Sequence, residues 1–161
     1  MIQTRLKGMG VALITPFKED ESVDYDALMR MVDYQLHNNN DFISVLGTQA
    51  ETQTLTDGVV DTLKNDDFTG VDAILSVVPY YNKPSQEGIY QHYKAISEAT
   101  ELPIVLYNVP GRTGVNMKAE TTLRIARDFK NVIAIKEASG DITQMDDIFK
   151  NKPANFDVIS G

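Results

Sequence analysis

Two side chains that could act on a carbonyl compound each close an apolar run of the sequence. Lys136 follows the run at 132–135, and Tyr107 follows the run at 104–106. An amine that apolar neighbours remove from water can attack a ketone in its neutral form, and a nearby phenol can shuttle protons during imine formation. Taken singly, each residue is more often a strand-end side chain that extends to water or packs, so neither alone establishes a site.

Three further candidates come shortly after other apolar runs. The Thr48 hydroxyl could relay protons, although threonine after a strand is usually a turn residue. Arg112 could hold a carboxylate through two parallel bonds, although a loop arginine is by default exposed to solvent. Tyr81 belongs to an aromatic pair that ordinary packing or an oligomer contact would explain. All five candidates lie at or just after the carboxyl ends of predicted strands, on the side where parallel α/β proteins bind ligands.

The elements that would position these residues are short apolar runs alternating with amphipathic stretches, which is typical of a parallel α/β fold. Because the runs are apolar nearly throughout, we expect strands that are covered on both faces. The six predicted strands are Val11–Thr15, Phe42–Gly47, Ala73–Val78, Ile104–Tyr107, Val132–Lys136 and Phe156–Ser160.

Helical periodicity appears between several of these strands. Ser85–Thr100 places apolar residues at i, i+4 and i+7 behind Ser85, a good N-cap residue. Asp141–Asn151 has a comparable stripe and ends before Pro153, and Asp24–Asn40 shows one apolar face. The weakest predicted helix is Asp57–Phe68, which is short and polar.

Composition narrows the class of protein. The 161 residues carry a formal net charge of −8, are 42% hydrophobic and include no cysteine. We therefore expect a single α/β domain over residues 1–161, with neither a nucleic-acid surface nor a polybasic membrane patch. Without disulfides, a signal-like amino terminus or a long apolar run, the sequence favours a soluble cytoplasmic protein. Its partners should be small molecules and other protein chains.

Metal and nucleotide sites have little support. His37 and His92 lie in separate predicted helices without ligand-spaced partners, and there is no glycine-rich phosphate loop. We therefore expect no metal.

The motifs resemble the dihydrodipicolinate synthase and N-acetylneuraminate lyase family. Their order along the chain is that of the family, and Arg112 in its Tyr-Asn-Val-Pro-x-Arg-Thr setting resembles the synthase branch. The matching segments are Leu13–Phe17, Gly47-Thr48 with Glu51, Pro79–Ser85, Tyr107–Gly114 and Ile135–Ala138.

This resemblance implies a lysine Schiff-base mechanism in the diaminopimelate route to lysine. Lys136 would form an imine with pyruvate, and Tyr107 would pass protons to and from it. Thr48 would link Tyr107 to Tyr81, which in the family reaches a neighbouring subunit's active site. The resemblance therefore also implies a homo-oligomer, and no organic cofactor or metal.

The second substrate implied by the resemblance is aspartate β-semialdehyde. Arg112 would hold its carboxylate, and backbone groups at Gly161 would lie nearby. Gln49 stands where the family has a second threonine that helps to hold the pyruvate carboxylate, so its side chain would alter the pocket.

The chain is shorter than the fold that the resemblance implies. A (β/α)₈ barrel has eight strand–helix units and typically about 250 residues. After Thr56, one helix–strand unit of the family is missing, and the part after Gly161 is missing as well. We expect a reduced TIM-barrel-like fold of about six strands, closed or open.

Two hypotheses about function follow from the shortened chain. It is either a working class I aldolase-type lyase, or an inactive engineered or fragmentary scaffold that keeps the residues without the site.

Overall fold

The computed structural model describes residues 8–44 and 72–161. The chain divides into two compact units, Met1–Val71 and Asp72–Gly161. In the first unit, strand β1 (Gly10–Ala12), helix α1 (Tyr25–His37) and strand β2 (Phe42–Ser44) follow one another. The two strands pair in parallel. This strand–helix–strand unit confirms the predicted alternation.

Helix α1 begins where the sequence predicts. Asp24 is its N-cap, and the Asp24 side chain accepts a hydrogen bond of 2.8 Å from the Ala27 N–H. The helix ends at His37, before the asparagines at 38–40, because Asn38 already has non-helical backbone angles. Strand β1 is shorter than predicted and begins one residue earlier. The rest of the predicted second strand and the predicted helix at 57–68 lie outside the described residues.

The second unit contains a parallel sheet of four strands in the order β3-β4-β5-β6, with helices along one face. Its elements in chain order are β3 (Ile74–Val77), α2 (Gln86–Ala99), β4 (Ile104–Asn108), α3 (Pro110–Thr113), α4 (Ala119–Asp128), β5 (Val132–Glu137), α5 (Ile142–Asn151) and β6 (Asp157–Ser160).

The caps explain where two of these helices start. Ser85 accepts a 3.2 Å hydrogen bond from the Gly88 N–H at the start of α2, as the sequence predicts. Asp141 accepts one of 3.0 Å from the Gln144 N–H at the start of α5. Both side chains satisfy backbone N–H groups that have no partner within their helix.

Two helical segments were not predicted. Helix α4 carries two buried β-branched residues, Thr121 and Thr122, which lower helix propensity and blur its apolar stripe. Helix α3 is a single turn with Pro110 at its start, and it ends at Gly114, whose φ of 68° is readily adopted by glycine. Arg112 therefore lies in a short helix, which corrects the prediction that it lies in a loop.

The hydrophobic core of this unit lies on the face of the sheet that the helices cover. It includes Leu106 of β4, Ile135 of β5 and Ile148 of α5, each fully buried. Since side chains alternate along a strand, the residues that follow Leu106 and Ile135 point to the opposite face. Those residues are Tyr107 and Lys136. No helix within residues 8–44 and 72–161 is long and apolar enough to cross a membrane.

Candidate active site

The sheet brings Lys136 and Tyr107 together. They are paired across β4 and β5, so both side chains leave the same face near the carboxyl ends of neighbouring strands. The Lys136 Nζ lies 4.6 Å from the centroid of the Tyr107 ring. Tyr107 is only 7% exposed, whereas Lys136 is half-buried. An amine thus lies beside a largely buried phenol ring.

Gly161 lies directly against the lysine. Its N–H donates a 3.0 Å hydrogen bond to the Glu137 carbonyl, which continues the β5–β6 pairing beyond the last strand residue. A Cβ atom at this position would come within 3.1 Å of Lys136 Cε and 2.8 Å of Ala138 Cβ. The missing side chain therefore leaves space for the lysine.

Two predicted site residues have exposed side chains. Tyr81 follows β3 and is 90% exposed. Arg112 follows β4, and its backbone N–H donates a 2.9 Å hydrogen bond to Val109, while its guanidinium faces solvent. Within the part of the chain that the structure describes, the guanidinium makes no ion pair. Both residues follow the carboxyl ends of their strands, but neither side chain is packed beside Lys136 as Tyr107 is.

The two predicted site residues of the first unit cannot be compared with these. Thr48 and Gln49 lie outside the described residues.

Sequence reasoning missed a pair of buried polar residues next to Lys136 and Tyr107. Asn108 and Glu137 directly follow Tyr107 and Lys136, are fully buried and point to the helix-covered face. The Asn108 amide donates to both carboxylate oxygens of Glu137, at 3.0 and 3.1 Å. The sequence did contain a signal for this pair. Asn108 and Glu137 are polar residues at the ends of β4 and β5, and the alternation of side chains along a strand turns both toward the core.

A second buried phenol, that of Tyr93, lies on the helix-covered face of the sheet. Burial raises the pKa of Tyr93 well above the usual value of a tyrosine, because the phenolate would lose its hydration. The hydroxyl donates a 2.8 Å hydrogen bond to the Ser76 carbonyl of β3, which also favours the neutral phenol. Tyr93 thus stays neutral and ties α2 to the sheet.

The arrangement suits chemistry on a carbonyl compound. A lysine amine can add to a ketone and lose water to give an imine, and an adjacent phenol can supply or accept the protons of both steps. Lys136 and Tyr107 are the described residues that meet this requirement.

Comparison with known proteins shows the family. The model of the Dihydrodipicolinate synthetase family matches residues 5–61 and 56–161. The two matched segments meet at 56–61, which is where the sequence predicts the missing helix–strand unit.

The 4-hydroxy-tetrahydrodipicolinate synthase of Phocaeicola vulgatus is 71% identical over 191 aligned positions, which cover 100% of this chain and 64% of that protein. Because the chain has 161 residues, at least 30 of those 191 positions have no counterpart in it. The chain thus spans about 64% of the length of this relative, as the shortened fold predicts.

Solved structures agree. Dihydrodipicolinate synthase from Thermotoga maritima is 41% identical, with a TM-score of 0.89 over 96% of this chain and 63% of that chain. The chloride-inhibited enzyme of Acinetobacter baumannii complexed with pyruvate is 35% identical, with a TM-score of 0.85 over 96% of this chain and 63% of that one. These matches confirm the predicted TIM-barrel-derived α/β fold, and the chain belongs to the dihydrodipicolinate synthetase family.

Proposed function

We propose that the chain is a Schiff-base lyase that condenses pyruvate with aspartate β-semialdehyde. The observation that carries this proposal is the position of the Lys136 amine, 4.6 Å from the centroid of the Tyr107 ring on neighbouring strands. The synthase names of the relatives and the pyruvate complex of the Acinetobacter baumannii enzyme support the choice of substrates.

The first half of the proposed reaction forms the imine. The neutral Lys136 amine attacks the ketone carbon of pyruvate, a C–N bond forms, and the oxygen takes up a proton. The carbinolamine then loses water to give the iminium ion. Tyr107 supplies and accepts the protons of these steps, for which its place beside the amine is suited.

The second half joins the two substrates. Loss of a methyl proton turns the iminium ion into an enamine, whose carbon attacks the aldehyde of aspartate β-semialdehyde while the aldehyde oxygen takes up a proton. The amino group of the second substrate then attacks the iminium carbon and displaces Lys136, which closes the ring and restores the free amine. Arg112 would hold the second carboxylate, with backbone groups at Gly161 nearby; Thr48 and Gln49 keep their predicted roles.

The inactive scaffold is a second candidate, and one observation favours it. The Arg112 guanidinium faces solvent, so one of the four proposed polar side chains that the structure describes is not packed into a site. Because catalytic groups must be held within about half an ångström of their working geometry, such a chain could keep Lys136 and Tyr107 without turnover.

Trapping with borohydride tests the proposal. Incubation of the chain with pyruvate and borohydride should raise the intact mass by one pyruvic acid less one oxygen atom, because hydride reduces the iminium ion to a stable amine. Lys136→Ala should abolish this increase. Lys118→Ala, which removes an exposed lysine elsewhere in the same unit, is the matched control and should leave it unchanged.

A condensation assay separates the lyase from the scaffold. With both substrates present, the lyase releases the cyclised product, which mass spectrometry detects, and Tyr107→Phe should slow its formation by about a hundredfold or more. Trapping of pyruvate without release of the condensation product would support the inactive scaffold, because the chain would form the imine but not complete the reaction. No trapping by the folded chain would reject the Schiff-base proposal. Assembly into a homo-oligomer and a cytoplasmic location remain predictions.

A further inference from the structure

A buried polar cluster lies behind the reactive pair, on the opposite face of the sheet. Its centre is the carboxylate of Glu137, the residue after Lys136, and Asn108, the residue after Tyr107. Both are fully buried. Burying polar groups is costly unless each finds a partner, so the contacts of this cluster show what it is built to do.

Every contact of the Glu137 carboxylate is one in which it accepts. Oε1 receives the Ser139 N–H at 2.8 Å, and Oε2 receives the Gln144 amide at 3.1 Å. The Asn108 amide donates to both oxygens, at 3.0 and 3.1 Å. A group that only accepts on both oxygens has the pattern of an ionised carboxylate. Among the described residues, no cation pairs with it.

Backbone groups fix the orientation of the donors. The Met117 N–H, which can only donate, gives a 3.0 Å hydrogen bond to Asn108 Oδ1, so the Asn108 amide nitrogen must face Glu137. The Met117 carbonyl, which can only accept, receives the Gln144 amide at 3.2 Å, so that amide nitrogen also points inward. The orientation of both amides is therefore set by the main chain.

The cluster ties together the segments that carry the reactive pair. The Ala138 N–H donates a 2.8 Å hydrogen bond to the Asn108 carbonyl, which extends the β4–β5 pairing by one step. Gln144 brings in the first turn of α5. Because side chains alternate along a strand, fixing residues 108 and 137 also fixes the directions of residues 107 and 136 on the other face.

We propose that Glu137 is a positioning residue of the Schiff-base reaction: its buried carboxylate, held by Asn108, Gln144 and the Ser139 N–H, keeps the Lys136 amine against the Tyr107 ring. This inference rests on the proposed function. The cluster acts through Lys136 and touches no substrate.

The variant Glu137→Gln tests the need for an acceptor on both oxygens. Glutamine has nearly the same shape, but its amide nitrogen replaces one acceptor with a donor, which then faces the N–H groups of Asn108 and Gln144 or of Ser139. We expect borohydride trapping of pyruvate to slow by about tenfold or more at saturating pyruvate, because small misplacements of reacting groups are costly. The pH profile of trapping should shift as well, since the lysine amine changes its surroundings.

Glu120→Gln is the matched control, because it makes the same chemical change on an exposed position of α4. It should trap at the rate of the unchanged chain with the same pH profile. If Glu137→Gln does not fold, as judged by circular dichroism, Gln144→Met removes one donor from the half-buried edge of the cluster and should slow trapping by a smaller factor. Trapping by the folded variant at the unchanged rate and pH profile would overturn the proposal.

A second readout separates this inference from the proposed function. Nuclear Overhauser contacts between the Lys136 side chain and the Tyr107 ring report their proximity whether or not pyruvate reacts. They should be present in the unchanged chain and in Glu120→Gln, and be lost or weakened in the folded Glu137→Gln chain or, failing that, in Gln144→Met. If the unchanged chain does not trap pyruvate, the Schiff-base function fails, and retention of these contacts in the variants would then reject the positioning role independently.

Discussion

The central and flanking strands of the four-stranded sheet differ in burial. All five residues of β4 and four of the six in β5 are buried, whereas none of the four residues in β3 or in β6 is buried. The two residues proposed to react, Lys136 and Tyr107, lie on the central strands. The lesson is that the part of the sheet with the most tertiary packing is also the part that positions the proposed catalytic side chains.

Apolar side chains in the flanking region beside β6 are only partly covered by other parts of the described chain. An open groove of about 320 Å³ lies between β6 and α5, lined by apolar side chains such as Met145 and Val158. Ile142 and Phe149 of α5 are 73% and 64% exposed. Much of the apolar surface in this region remains in water. The region therefore contributes less to the free energy of unfolding than the two central strands, β4 and β5.

The largest expected effect compares the same substitution in a central and a flanking strand. Leu106→Ala in β4 removes a fully buried side chain and should cost about 2–5 kcal/mol of the free energy of unfolding. Leu75→Ala in β3 removes a half-buried one and should cost about 1 kcal/mol. Urea unfolding followed by circular dichroism measures both, and equal costs would contradict the contrast between the strands.

A smaller effect concerns the hydroxyl that joins α2 to β3. Tyr93→Phe leaves the Ser76 carbonyl without its 2.8 Å hydrogen bond and should cost about 1–2 kcal/mol. Tyr90→Phe on the same helix removes an exposed hydroxyl that bonds Asp128 and is the matched control, with a cost below about 0.5 kcal/mol. Similar losses in both variants would show that burial of the hydroxyl does not matter.

The smallest effect is a pH dependence from His92, which is half-buried in α2. Burial lowers the pKa of His92 below the usual value of 6.5, because the imidazolium would lose hydration. As the pH falls below that value, the unfolded chain binds the proton before the folded chain does, so stability decreases with falling pH. Unfolding measured between about pH 5 and pH 7 should show this slope, and His92→Gln should reduce it; an unchanged slope would rule out His92 as its source.

Much of the fold was predictable because apolar runs and caps are local signals. Ser85 and Asp24 cap helices where the sequence places them, and the strands that carry Tyr107 and Lys136 were identified within one residue of their observed ends. Their pairing followed from parallel topology. Helix α4 was missed because its two buried threonines interrupt the apolar pattern. The cluster around Glu137 was missed because its partners come from three separate segments, which no local pattern reveals.

The most direct test of the central claim is to locate the pyruvate adduct within the chain. After borohydride reduction, peptide mapping by mass spectrometry should place the adduct on Lys136, the lysine that lies against Tyr107. Exposed lysines such as Lys83 and Lys118 should remain unmodified under the same conditions. An adduct spread over exposed lysines, with none enriched at Lys136, would contradict the account.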